Sequence, residues 1–330
     1  MFYLSQLKKE ELAGKTCLLR INLDIKNPEK DSWRLNAVIP TIKFLLEAGA
    51  KPLILSHRGR PQSENASASD LKFSLKPLVE ILEKRIGQKL DYLENLRLDP
   101  REQNNDENFA KELAAKGDLY INDDFATSHR ASASMVGITK FLPSYVGLLL
   151  EQEIKKLSKV MENPERPLVI IIGGIKIDDK MGMINHFKNI ADYFLMGSAY
   201  IDLQNELLKN PKVIIPVDWI GENNKKLDIG PKTIEQFSKI ISPAKTVIWN
   251  GPMGLLSENS RYSEGSKKIA EAIIESRAFS VVGGGETSQF LLESGMINKF
   301  SFVSTGGGAM LEFLSGKKLP AIEALDKVNI

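Results

Sequence analysis

PLVIIIGGIKIDDK, residues 167–180, is the stretch on which the fold turns. Its apolar residues 168–172 do not alternate with polar ones, the pattern of a parallel strand covered on both faces. Gly173-Gly174 ends the run, and the segment through Lys180 leads into a helix. Working outward, the same arrangement recurs along the chain. Comparable runs are TCLLRINL (16–23), PLILS (52–56), DLYIND (118–123), YFLMGS (193–198), VIIPVD (213–218), TVIWNG (246–251), FSVVGGG (279–285) and FSFVSTGGG (300–308). Amphipathic stretches lie between them, among them RLNAVIPTIKFLLEAG (34–49) and SEGSKKIAEAIIESR (263–277). Strand–helix alternation implies βαβ units and an α/β fold of open parallel sheets flanked by helices.

LPSYVGLLLEQEIKKLSKVMENPERP (142–167) reads as one long helix closed by Asn163-Pro164 and Pro167. Before it the strand ends carry Arg, His and carboxylates; after it they carry Gly, Lys and Thr. This shift in chemistry predicts two α/β domains joined by a helix, residues 1–147 and 148–310. A length of 330 residues accommodates both.

The bulk composition excludes several classes. Hydrophobic residues make up 42% and charged residues 26%, as in globular proteins. With 44 basic against 42 acidic residues the net charge is +2, which gives no reason to expect nucleic acid or a membrane as partner. Cys17 stands alone in an apolar run, so it reads as a core residue rather than a nucleophile. The N-terminal segment has no basic start followed by a long apolar stretch, and no run is long enough to span a bilayer. The expected location is the cytoplasm.

Ligands of open parallel sheets bind outside the carboxyl ends of the strands. In the first half these positions read Arg20-Ile21-Asn22-Leu23-Asp24, Ser56-His57-Arg58-Gly59-Arg60-Pro61, Glu94-Asn95-Leu96-Arg97, Asn122-Asp123-Asp124 and His129-Arg130, with Arg34 opening a long helix. Arginine offers a planar fork matched to carboxylate and phosphate, so this set predicts a pocket for a small, multiply charged anion. The second half carries Gly173-Gly174 through Lys180, Gly283-Gly284-Gly285-Glu286-Thr287, Thr305 with Gly306-Gly307-Gly308, Asp228-Ile229-Gly230-Pro231, and Trp249-Asn250-Gly251-Pro252. Glycine turns running into helices let backbone N–H groups approach phosphates at a partially positive helix end. There is no G-x-x-x-x-G-K-[ST], no G-x-G-x-x-G after the first strand, no G-x-S-x-G and no metal-ligand spacing of Cys and His. An anion pocket and a nucleotide-phosphate domain, without an obvious nucleophile or base, point to direct phosphoryl transfer. A carboxylate acceptor is already ionised, so the protein need only position both ends and neutralise charge.

SHRGRP, ENLR, NDDFATSHRASASMVG, GGIKIDDK, LDIGPKT, WNGPMG, GGGET and VSTGGGAMLE, in this order, resemble the phosphoglycerate kinases from residue 16 to the C-terminus. The resemblance implies two Rossmann-like domains joined by a hinge, with 3-phosphoglycerate or 1,3-bisphosphoglycerate in the first and Mg2+-ADP or ATP in the second. It implies a monomer, and a C-terminal segment 311–330 that returns to the first domain. By motif, Arg34, Lys176 and Lys180 match catalytic positions. Arg20, Asn22, Asp24, His57, Arg60, Arg97 and Arg130 match the substrate pocket. Lys176, Lys180, Gly197, Asn250, Pro252, Ser257, Glu258, Gly283, Gly284, Gly285, Glu286 and Thr287 match nucleotide contacts, with Glu286 standing where the family has an Asp beside the magnesium.

The chain departs from the family pattern in several places. R-V-D-F-N reads Arg20-Ile21-Asn22-Leu23-Asp24, which exchanges acid and amide. SHLGRP has Arg58, HRAH has Ser132, and the triglycine after ADYFLM is Gly197-Ser198-Ala199. The glutamate after WNGPxGxF is Ser257, with Glu258 next. A strand and helix before ENLR are expected to be missing, and the regions 199–216 and 218–228 are short. These departures motivate an alternative reading, a binding or regulatory protein that keeps the fold and has weakened turnover.

Overall fold

The apolar runs form parallel strands in two separate sheets. The computed structural model describes residues 1–28, 32–61, 71–202, 210–256 and 260–327. Two compact units divide the chain, Met1–Ile154 with Lys318–Ile330, and Lys155–Lys317.

In the first unit β1 (Thr16–Arg20), β2 (Lys51–Leu55), β3 (Asp91–Tyr92), β4 (Leu119–Asn122) and β5 (Ser144–Val146) lie in the order β3-β2-β1-β4-β5, all parallel. Helix α1 (Lys9–Leu12) precedes β1, and α2 (Ser32–Glu47), α3 (Lys76–Ile86), α4 (Pro100–Gln103) and α5 (Glu107–Ala114) come between the strands in the chain. Cys17, Leu19 and Ile54 from the sheet join Leu35, Ile42 and Leu78 from α2 and α3 in one buried cluster. Helix α6 (Leu148–Glu162) contains the division between the units.

In the second unit β6 (Leu168–Ile172), β7 (Tyr193–Met196), β8 (Val213–Ile214), β11 (Thr246–Asn250), β12 (Phe279–Gly283) and β13 (Phe302–Val303) form a parallel sheet ordered β13-β12-β11-β6-β7-β8. Strands β9 (Trp219–Glu222) and β10 (Lys225–Ile229) pair as an antiparallel hairpin. Helices α7 (Asp178–Phe187), α8 (Pro231–Ile241), α9 (Glu264–Ser276), α10 (Gly285–Glu293) and α11 (Gly307–Leu314) complete this unit. Each parallel sheet reverses its strand order once, between β1 and β4 and between β6 and β11. In doubly wound folds such a switch point is where a crevice opens for ligands. Arg20 and Asn122 end the two strands at the first switch point; Ile172 and Asn250 end those at the second.

The C-terminal segment rejoins the first unit from Lys318, later than the expected 311, because α11 packs with α7. Helix α12 (Pro320–Asp326) is held there by Ala321 N donating to Ser128 O (3.1 Å) and by the terminal amino group of Met1 on Asp326 Oδ1 (3.1 Å).

Three local expectations are corrected. The stretch 142–167 is not one helix: Ser144–Val146 is an edge strand paired with Tyr120–Asn122, and Gly147 separates it from α6. A strand does precede ENLR, since Asp91–Tyr92 pairs with Leu53–Ile54. The hairpin β9–β10 was not expected. Asn223 and Asn224 take φ of 51° and 59° in its turn, as the tight turns of right-twisted hairpins require.

Two buried carboxylates fasten helices to strand ends. Asp123 Oδ1, just past β4, accepts from Leu149 N (2.8 Å) and Leu150 N (3.1 Å) at the start of α6. Asp228 Oδ2 in β10 accepts from Gly265 N (2.7 Å) at the start of α9. Asp228 thus has a structural role rather than a place in the strand-end chemistry. Burial raises both carboxyls from 3.8 to about 6, outweighing the N–H donors. A raised folded-state value stabilises in full below 3.8, and this contribution is lost as pH rises through about 6. For the fully buried Asp123 the difference is worth about 3 kcal/mol. Asp123→Asn is therefore expected to flatten the fall in melting temperature between about pH 4 and 7. Thermal unfolding across that range checks this, and parallel curves for variant and parent would refute it.

Candidate functional site

In the first unit the site grows from the end of β1. Arg20 is 2% exposed and donates from Nε to Ser134 Oγ (3.1 Å), from NH1 to Ile21 O (2.6 Å) and Asp124 Oδ2 (2.8 Å), and from NH2 to His57 Nδ1 (2.7 Å). Four of its five N–H groups therefore serve the protein. Arg20, expected as a substrate ligand, is held by four protein acceptors and also borders the pocket. Glu102 backs it by accepting from Ser134 Oγ (2.6 Å), Ser134 N (2.9 Å) and Ser132 Oγ (2.8 Å).

His57 is fully buried, and burial together with Arg20, Arg97 and Arg130 holds its pKa well below 6.5. It is a neutral imidazole here. Asp24 Oδ1 accepts from Gly59 N (2.8 Å), and Asp24 Oδ2 lies 3.7 Å from His57 Nε2. Arg97 NH1 donates to Gly59 O (2.9 Å), and burial plus Arg130 lowers its pKa to about 10. The acid at position 24 is thus tied to the backbone of the SHRGRP loop. Asn22 Nδ2 reaches Asp124 Oδ1 (3.2 Å).

A cavity of about 230 Å³ brings together Arg20, Arg97, Thr127, Arg130, Glu102 and Ser132. Arg130 is exposed and donates from Nε to His129 Nε2 (3.3 Å). Asn22, Asp24 and His57 join this group through the Arg20 network rather than as lining. Arg60 is exposed next to Gly59, and Arg34, whose guanidinium sits 5.5 Å from the Trp33 ring, opens α2; neither lines the cavity. Glu102 and Ser134 are participants the motif reading did not single out, and Asp124, read there only as one of the strand-end carboxylates, joins them. The Asp123-Asp124 pair at a strand end was the available signal.

In the second unit two glycine turns meet at the switch point. Gly173 N donates to Asn250 O (2.9 Å) and Gly174 N to Pro252 O (2.8 Å), with Gly174 at φ 72°. At the next strand, Gly284 (φ 108°) caps α10, and a Cβ on Gly307 would stand 3.0 Å from Gly284 Cα. The triglycine turns therefore touch, and the N-termini of α10 and α11 open on one cavity of about 570 Å³. Asn250 lines it, 4% exposed, with a buried Nδ2 that has no hydrogen-bond partner. Two helix N-termini and an unused amide donor make an anion site.

Lys180 is buried in the first turn of α7 and donates to Lys176 O (2.9 Å); burial lowers its pKa. Lys176 is exposed. A second cavity of about 150 Å³ has apolar walls of Ile175, Leu227, Met253 and Leu255, with Pro252 and Glu286 at its edge. The expected nucleotide contacts thus divide between two cavities, Asn250, Gly284 and Gly285 in one, Pro252 and Glu286 in the other. Gly197 lines neither; its N donates to Ile172 O (2.8 Å), and a Cβ would sit 3.1 Å from Gly173 Cα. Thr287 is buried, and Gly283 packs on the Met310 sulfur side of α11. Ser257 and Glu258 lie outside the described residues. Among the described residues no three His, Cys, Asp or Glu cluster as a metal site, and no helix is long and apolar enough to cross a membrane.

Two doubly wound units, each with an anion-directed constellation at its switch point, define an α/β protein built to hold phosphorylated ligands. The model of the phosphoglycerate kinase family matches residues 7–203 and 200–317. The chain is 36% identical to the phosphoglycerate kinase of Finegoldia magna, over 97% of this chain and 98% of that one. It is 37% identical to that of Dictyoglomus turgidum, over 97% of each. The solved phosphoglycerate kinase from Coxiella burnetii matches with a TM-score of 0.85 at 28% identity, covering 99% of this chain and all of that one. That from Pyrococcus horikoshii OT3 matches with the same TM-score and identity, covering 99% and 98%. The chain belongs to the phosphoglycerate kinase family. The Finegoldia alignment runs over 394 positions against 330 residues here, so that relative carries segments this chain lacks.

Proposed function

We propose that the chain catalyses reversible phosphoryl transfer between 1,3-bisphosphoglycerate and ADP, giving 3-phosphoglycerate and ATP, the glycolytic reaction of its family. The observation that carries this is the cavity where the N-termini of α10 and α11 and the buried Asn250 amide converge, a cradle for nucleotide phosphates. The arginine-lined cavity of the first unit supplies the complementary site for an acidic, phosphorylated substrate. Arg34, Lys176 and Lys180 neutralise charge on the transferring group, and no general base is needed because the acceptor is a carboxylate. Magnesium, held in such enzymes by one or two carboxylates together with substrate phosphates, fits Glu286, an exposed acid in the first turn of α10. Held there, the ion would supply positive charge against the nucleotide phosphate oxygens. Direct transfer also needs the two substrates brought into line, which we assign to hinge motion in a cytoplasmic monomer.

No observation favours the binding-only reading. The exchanged acid at Asp24 is occupied by Gly59 N, and Arg20 has its counterion in Asp124.

The test is a coupled assay with 3-phosphoglycerate, ATP and magnesium, beside Arg34→Ala and an excess-chelator control. Turnover should fall at least ~100-fold in both. Negligible rates in the parent, or rates indifferent to the variant, would reject the proposal.

A further inference from the structure

Asp124 is fully buried and accepts four hydrogen bonds. Oδ2 takes Arg20 NH1 (2.8 Å) and Thr127 Oγ1 (2.6 Å); Oδ1 takes Thr127 N (3.1 Å) and Asn22 Nδ2 (3.2 Å). Its charge is the closest counterweight to a guanidinium that is itself 2% exposed. Guanidinium has only donors, so the 2.7 Å contact from Arg20 NH2 requires His57 Nδ1 to be the acceptor. The imidazole proton then sits on Nε2, the nitrogen 3.7 Å from Asp24 Oδ2. Asp24 in turn holds Gly59 N, and Arg97 holds Gly59 O from the other side. Two hydrogen-bonded series, Asp124–Arg20–His57 and Asp24–Gly59–Arg97, therefore face each other across a 3.7 Å gap between His57 Nε2, which has no hydrogen-bond partner, and Asp24 Oδ2, and their two arginines line the anion cavity.

We propose that Asp124 is a positioning residue for the acidic substrate: by orienting Arg20 it fixes the His57 tautomer, which keeps the Nε2–H facing Asp24, the acid that anchors the Gly59 turn on which Arg97 rests. This rests on the assignment of the first-unit cavity to 3-phosphoglycerate. Without the Asp124 carboxylate, Arg20, Arg97 and Arg130 face one another with Asp24 and Glu102 as the remaining acids beside them. Arg20 then has a reason to turn toward Glu102, releasing His57 Nδ1 to take up a proton or exchange tautomers. The nucleotide site lies in the other unit and is unaffected.

The expected results are specific. Asp124→Asn raises KM for 3-phosphoglycerate on the order of tenfold, the scale on which orienting partners act on the groups they hold. KM for ATP stays within about twofold, the size of an effect too small to reflect a lost contact. In the ¹⁵N–¹H long-range spectrum of the full chain, which has three histidines, His57 is a single Nε2–H species in the parent and loses that state in Asp124→Asn. The double variant Asn22→Asp, Asp124→Asn returns a carboxylate to the neighbouring position 3.2 Å away and restores both readouts.

A parent His57 protonated on Nδ1 overturns the proposal. So does an Asp124→Asn protein that melts lower while KM and the His57 spectrum stay unchanged, or a double variant that rescues neither. If Asp124→Asn does not fold, the parent spectrum and the double variant decide. A parent without turnover rejects the activity assigned above, whereas the His57 spectrum judges the positioning chain independently.

Discussion

Lys180→Met is expected to lower kcat by roughly 10²–10³-fold, the range seen when a preorganised transition-state donor is removed, while leaving the fold as stable as before or more so. The opposite signs follow from where the ammonium sits. Lys180 is 6% exposed at the base of the Gly173-Gly174 turn, and its Nζ donates to Lys176 O. Burial pushes its pKa below the ordinary lysine value; Asp179 and Glu286 oppose that shift, and Lys176 adds to it. A charge kept under these conditions works against folding, and an apolar side chain of similar length in its place is commonly neutral or stabilising. Such a site is retained because developing negative charge on a transferring phosphoryl group needs a fixed cation in a water-poor setting. Paired measurements of kcat and melting temperature check this. Loss of both together would make Lys180 a structural residue, and retention of kcat would remove it from the chemistry.

The strands that build the two switch points were legible because burial on both faces removes polar alternation, as in Leu168–Ile172 and Thr246–Asn250. Elements at sheet edges were less so. Asp91–Tyr92 and Ser144–Val146 are too short for any periodicity, and the second borrowed the apolar pattern of the helix that follows it. The hairpin Trp219–Ile229 is mostly exposed along its first strand, so no apolar run announced it, although Asn223-Asn224 carried the turn signal. At the site, residue types foretold the anion chemistry but not the division of labour among them. Arg20 and Arg97 are alike in sequence, yet one is consumed by four protein acceptors and the other reaches the cavity with one of its contacts on Gly59. The acid that makes Arg20 tolerable, Asp124, lies 104 positions away, and only the parallel pairing of β1 with β4 brings it near. Read alone, the Asn22/Asp24 exchange looks damaging; beside Asp124 it is a rearrangement of charge around the buried Arg20 guanidinium.

Gly173→Ala is expected to be a strongly disruptive single-methyl change in the second unit. The reason is close approach rather than backbone freedom, since Gly173 does not occupy the left-handed region, in contrast to Gly174 at φ 72°. A Cβ at position 173 would stand 1.9 Å from Pro252 O and 2.5 Å from Gly251 O. Both obstacles are main-chain atoms, so no rotamer change relieves the overlap. The ends of β6 and β11 would have to part, breaking Gly173 N to Asn250 O and Gly174 N to Pro252 O. Overpacking of this kind costs about 1–3 kcal/mol or more, which corresponds to a drop of about 2–4 °C per kcal/mol for a unit of this size. The same separation moves the Asn250 amide away from the α10 and α11 N-termini, so ATP affinity should fall by at least ~30-fold, about 2 kcal/mol at 1.4 kcal/mol per decade. Gly308→Ala provides the contrast. No atom lies within 4 Å of a Cβ there, and the residue is helical, so alanine should leave stability unchanged or raise it by up to about 1 kcal/mol. Differential scanning calorimetry and ATP titration of the two variants distinguish the cases. If Gly173→Ala melts with the parent and binds ATP as tightly, the contact between the two glycine turns does not shape the phosphate cradle.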